Sequence, residues 1–108
     1  MVDLLATGQR IDAVFGTSDD CALGALAAVQ AAGTGGPASL IVVGFDATPE
    51  ARTAISGRTA LVADAAHDPV TIGRRTIEAV ATHLRGGTVP PFVQVRVGLV
   101  ERDSQPAP

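Results

Sequence analysis

Short apolar runs recur along this chain of 108 residues, and each ends at an acid or a small polar residue before a stretch with helical spacing begins. Leu40 to Phe45 is the clearest run. Its β-branched content predicts a buried parallel strand. Asp46 ends it, and Thr48 and Pro49 have the form of an N-cap and a first helical residue, opening a short helix to Ile55 that closes near Gly57. Upstream, Ile11 to Gly16 predicts a strand and Thr17-Ser18-Asp19-Asp20 a loop. Cys21 to Ala32 then predicts a helix with Leu23, Leu26, Ala27 and Gln30 along one face. Downstream, Thr59 to Ala63 predicts a strand and Asp64 to Asp68 a loop. A long helix runs from Pro69 to Arg85 and stops at Gly86-Gly87.

The long helix carries an apolar stripe of Val70, Gly73, Ile77, Val80, Ala81 and Leu84, with Arg74 and Glu78 paired four apart on the other face. Val93, Val95 and Val97 alternate with Gln94 and Arg96, which predicts a last strand over Phe92 to Val100. Val2 to Gly8 reads as a short helix, Gly33 to Ala38 as a Gly- and Pro-rich turn, and Ser104 to Pro108 as a disordered tail. The expected fold class is α/β: a three-layer unit with a mainly parallel sheet whose strands lie near 12–16, 40–45 and 59–63. Ser18, Asp46 and His67 then fall just beyond strand carboxyl ends, the edge where open α/β sheets bind ligands.

Composition narrows the chemistry. The net charge is −3 and all eight basic residues are scattered arginines, so no basic stripe exists to follow a phosphate backbone and nucleic acid is not an expected partner. No apolar run is long enough to span a bilayer, and the first residues lack the pattern of a secretory signal. Cys21 is the only cysteine, which excludes an intrachain disulfide, and a nucleophilic role would need His67 and an oxyanion hole around it. No cofactor motif occurs: Gly16 and Gly24 read as close-packing glycines rather than a phosphate loop, and the absence of lysine argues against a phosphoacceptor receiver domain. An oxygen-rich cation site from Asp19, Asp20, Asp46 and His67 is conceivable, but no ligand spacing supports it, and no metal is expected. The chain has no Trp or Tyr and only Phe15, Phe45 and Phe92, so it offers little surface for stacking a ring. No catalytic constellation is present, and an enzyme is not expected.

Four segments occur in a telling order: Asp12-Ala-Val-Phe-Gly-Thr-Ser-Asp-Asp-Cys-Ala-Leu-Gly-Ala-Leu26, Ile41-Val-Val-Gly-Phe-Asp-Ala-Thr-Pro-Glu50, Gly57-Arg-Thr-Ala-Leu-Val-Ala63 and Pro69-Val-Thr-Ile-Gly73. The succession resembles the C-terminal part of type I periplasmic sugar-binding proteins of the ribose- and galactose-binding group, whose core also serves lac-repressor-type regulators. The resemblance covers residues 11–100. It implies that residues 1–103 form a partial C-terminal lobe, and that Asp46, Ser18, Asp19 and His67 are the ligand-binding candidates. Asp46 would contact sugar hydroxyls, with helix capping as its alternative. Ser18 stands where the family has an Asn, and His67 where it has a Gln; Asp19 has helix capping as an alternative role. The implied function is solute binding for an ABC permease, with effector sensing in a cytoplasmic repressor as the alternative. For the transport reading the parent protein would be exported. The first lobe is expected to be missing, leaving the long helix to find its cover on a second copy, a homodimer.

Overall fold

The β-branched run that ends at Phe45 forms a central strand in the computed structural model, which describes residues 1–33 and 40–102. In chain order the elements are α1 (Val2–Ala6), β1 (Ala13–Phe15), α2 (Asp19–Ala31), β2 (Ile41–Phe45), α3 (Pro49–Ser56), β3 (Leu61–Ala66), α4 (Pro69–Leu84) and β4 (Gly98–Glu101). The strands lie in the order β1-β2-β3-β4. The first three are parallel, and β4 pairs antiparallel with β3. The mainly parallel α/β sheet expected from the sequence is therefore present.

The chain divides into two units. One holds Met1–Ala66 and the segment from Gly98; the other holds His67–Val97. In the first, the strand pleat decides what is buried. Val42 and Gly44 point to the covered face, while Ile41 and Phe15 on the opposite face are exposed. Helices α2 and α3 close the covered face through one cluster: Ala22, Leu26 and Val29 meet Val42, Leu61 and Val100, with Ala51 and Ile55 completing it. Fully burying a Val, Leu or Ile stabilises by about 1.5–3 kcal/mol, and Ile55, Leu61, Val29 and Val42 are all sealed from solvent. Helix α1 adds Met1 and Leu5 at the cluster's edge.

Two expectations about this unit need correction. The buried stripe of α2 is Ala22, Ala25, Leu26 and Val29, not Leu23, Leu26, Ala27 and Gln30. Small apolar residues surround this helix, so periodicity alone did not select a face. Strand β3 begins at Leu61 and continues to Ala66, which places Asp64 inside the strand rather than in the following loop.

The second unit is α4 and the segment after it. Asp68 caps α4, its Oδ1 accepting the Thr71 N–H at 3.0 Å and its Oδ2 the Thr71 hydroxyl at 2.6 Å. These bonds hold its carboxyl below the ordinary aspartate range. No residue of α4 is buried. A hollow of about 440 Å³ lies between the helix and the returning chain, lined by Ile72, Arg75, Thr76, Val80, Val93 and Val95 among others. The expected strand over 92–100 is shorter than its alternation suggested: only Gly98–Glu101 pairs, and Phe92 is exposed. The expected tail, and all but the first residue of the expected turn at 33–38, lie outside the described residues.

Candidate functional site

The loop after β2 has an unusual backbone. Asp46 and Ala47 follow one another at φ 128° and 56°, although neither is glycine. Such conformations cost about 1–3 kcal/mol each and persist where the surroundings over-determine them. Here the surroundings do. The Asp46 N–H donates to Ala65 O at 3.0 Å, extending the parallel ladder past the end of β2. The Ala47 N–H donates to Asp64 Oδ1 at 3.1 Å. The Thr48 N–H donates to Asp19 Oδ2 at 2.6 Å. Arg52, one turn into α3, donates from Nε to Ala47 O at 2.9 Å. Thr48 then caps α3, its hydroxyl accepting the Ala51 N–H at 3.3 Å. With Thr48 as the cap, Asp46 is not the capping residue, and it is held at the carboxyl edge of the parallel strands.

Ser18 is the cap of α2, its Oγ accepting the Cys21 N–H at 3.4 Å. The same first turn carries Asp19, so the Asp19–Thr48 bond ties the loop bearing Ser18 to the loop bearing Asp46. Asp19, grouped by sequence with the ligand candidates, is only 1% exposed and faces the support of the second loop. His67 opens the second unit. Gly16 lets the end of β1 approach α2 closely: a Cβ there would lie 2.6 Å from Ala22 N. Gly24 does not share that role, since a Cβ there would meet nothing within 4 Å.

Two residues at this site escaped sequence reasoning. Asp64 is wholly buried, and its register partners are Gly44 on β2 and Val100 on β4. The signal was there to read, because a lone acid inside Ala60-Leu-Val-Ala-Asp-Ala-Ala66 must be buried if the run is a strand. Gly44 leaves the space the acids occupy: a Cβ on it would lie 2.5 Å from Asp64 Oδ2 and 2.8 Å from Asp19 Oδ1. Burial, the close contact with the Asp19 carboxyl and the negative charge of Asp19 push the Asp64 carboxyl up to about 7. Burial also pushes Asp19 up, but the close contact with the Asp64 carboxyl and the hydrogen bonds from Thr48 outweigh it and leave Asp19 below its ordinary value. Among the described residues, no group of three or more His, Cys, Asp or Glu side chains could hold a metal ion, and no helix is long and apolar enough to cross a membrane.

Residues 1–88 match the family model described as "Periplasmic binding protein domain". The ribose import binding protein RbsB of Salmonella typhimurium is 38% identical over 100 residues, covering 93% of this chain and 32% of that protein. Its namesake in Bacillus subtilis is 37% identical over 89 residues, covering 82% of this chain and 28% of that protein. The chain thus spans about a third of the length of these relatives. Among solved structures, an ABC transporter solute-binding protein from Mycobacterium smegmatis with bound glycerol superimposes with a TM-score of 0.82 at 34% identity, over 94% of this chain and 34% of the other. One from Agrobacterium vitis with bound allitol gives 0.83 at 28% identity, over 95% of this chain and 36% of the other.

Proposed function

The chain belongs to the periplasmic binding protein domain family, and on that premise we propose that it supplies part of the sugar-binding lobe of a solute-binding protein serving an ABC permease. The observation that carries this reading is the loop at Asp46, held in a strained form at the edge of the parallel strands by four separate hydrogen bonds. A fixed carboxylate accepts paired hydrogen bonds from vicinal hydroxyls without first paying to order itself. Asp46 takes that role, Ser18 adds a polar group on the neighbouring loop of the same unit, and Asp19 acts through the loop it holds. The relatives carry ribose import in their names, and the solved structures named above hold glycerol and allitol. A polyhydroxylated ligand of pentose or polyol size fits this company. In this reading the parent protein is exported, in keeping with the description of the family, and no chemical transformation is assigned to it. For the 108-residue chain by itself, the exposed apolar stripe of α4 is covered by a second copy in a homodimer.

The test is a chimera in which this chain replaces the corresponding third of the Salmonella typhimurium ribose import binding protein. Calorimetry against ribose, allose and allitol is expected to find binding to at least one. Asp46→Ala is expected to weaken it at least tenfold, or about 1.4 kcal/mol. A folded chimera that binds none of the three, or one indifferent to Asp46→Ala, overturns the reading.

A further inference from the structure

Asp19 Oδ1 and Asp64 Oδ2 are buried, neither meets a hydrogen-bond donor among the described residues, and both crowd the same point above Gly44. Two ionised carboxylates do not meet this way in a dry interior, because neither can donate and their charges repel. No third acid, histidine or cysteine among the described residues joins them as a metal-binding group. A proton held between them satisfies both atoms and removes the repulsion. We propose that Asp64 carries a proton that it donates to Asp19, and that this pair is the positioning device of the Asp46 loop.

The outer oxygens of the pair do the positioning. Asp64 Oδ1 takes the Ala47 N–H, and Asp19 Oδ2 takes the Thr48 N–H. One proton on the inner side thus sets two successive amides on the outer side, and with them the positive φ angles at Asp46 and Ala47. Asp46 faces Asp64 from the loop and adds negative charge, which favours keeping the proton. Arg52 approaches from α3 but gives its Nε to Ala47 O. Gly44 is required beneath the pair, since any side chain would occupy the place of the shared proton's oxygens. When the proton leaves, two anions press against each other over Gly44 and the loop loosens. The elevated Asp64 carboxyl places that loss near neutrality. A strand acid and a helix acid thereby make the set of the Asp46 loop pH-dependent. That consequence for ligand binding rests on the sugar-binding reading above; the proton itself does not.

The test uses the 108-residue chain without sugar. Aspartate side-chain carbons and the Ala47 and Thr48 amides are followed by NMR from about pH 4 to about pH 9, a range that brackets both ends of the linkage. The expected result is one aspartate carboxyl titrating near neutrality, with both amides moving at the same midpoint. In Asp64→Asn the side-chain amide donates permanently to Asp19 while Oδ1 still accepts from Ala47. Both transitions are then expected to vanish, with the two amides locked at their low-pH positions. If every aspartate finishes titrating below about pH 5, or the two amides do not follow the neutral transition, the pair is overturned. Because no sugar is present, that failure leaves the binding reading standing, and a chimera that fails to bind leaves the pair standing.

Discussion

Thr48 donates its backbone N–H to Asp19 Oδ2 at 2.6 Å across 29 residues of sequence. The bond joins the first turn of α2 to the residue that caps α3, so the two helix starts on this edge of the sheet are set against each other rather than independently. Asp19→Ala leaves a half-buried N–H without its acceptor, and the expected loss is about 1–3 kcal/mol. Asp19→Asn keeps an oxygen for Thr48 and is expected to lose clearly less. Urea unfolding of the two variants measures the difference; equal losses would mean that the bond has no particular weight.

Gly44 and Gly24 give opposite expectations for the same substitution. At Gly44 an added methyl runs into two buried carboxylates that are themselves held by backbone amides, so neither can move cheaply. Gly44→Ala is expected to destabilise by at least about 1–3 kcal/mol. At Gly24, in the middle of α2, the methyl meets nothing. Gly24→Ala is expected to stabilise by about 0.5–1 kcal/mol through helix propensity alone. Melting temperatures that shift in the same direction would contradict this account of the Gly44 space.

The acids also predict the shape of stability against pH. Asp64 is raised above the ordinary 3.8, so the native state holds its proton more tightly than the unfolded chain. Its contribution is complete below about pH 4 and is lost as pH rises toward about 7. Asp19 and Asp68 are lowered, so theirs is present above the ordinary value and is lost as acid protonates them. Thermal unfolding is therefore expected to be most resistant near the low end of the window and to weaken toward neutrality. Asp64→Asn removes the decline between those limits. A wild-type curve that rises from about pH 4 to about pH 7 has the wrong sign for a protonated Asp64.

Elements that bury a continuous apolar run were legible in the sequence. β2 is such a run, and the Thr48–Pro49 start of α3 was marked by residues whose cap chemistry is local. What escaped depended on contacts distant along the chain. Asp64 pairs with an acid 45 positions earlier, and nothing near it announces that partner. The α2 stripe was misjudged because alanine is apolar on every face, so only packing against Val42 and Leu61 chooses one. The last strand was overestimated because alternation reports a half-buried strand only where a neighbour exists to pair with it, and β3 meets the chain only from Gly98. Ser18 and Asp46 were legible as strand-end groups; the bond that links their loops was not.

The α4 stripe leads to the last prediction. Val70, Ile77, Val80 and Leu84 are all exposed, Leu84 at 79%. The ion pairs on the helix, Arg74 and Arg75 with Glu78 at 3.5 and 3.6 Å, are solvent-facing and contribute little. Burying such a side chain is worth about 1.5–3 kcal/mol, and association costs about 4–15 kcal/mol in lost freedom. Four residues from each of two copies offset a cost of that order without greatly exceeding it. The expected state is therefore a two-fold dimer that forms at micromolar concentration and separates on dilution. Ile77→Asp with Leu84→Asp places charge in the stripe without touching the sheet core. Sedimentation velocity is expected to show the wild-type dimer shift to monomer in this double variant, with circular dichroism unchanged. A wild-type monomer at high micromolar concentration excludes a second copy as the cover of α4.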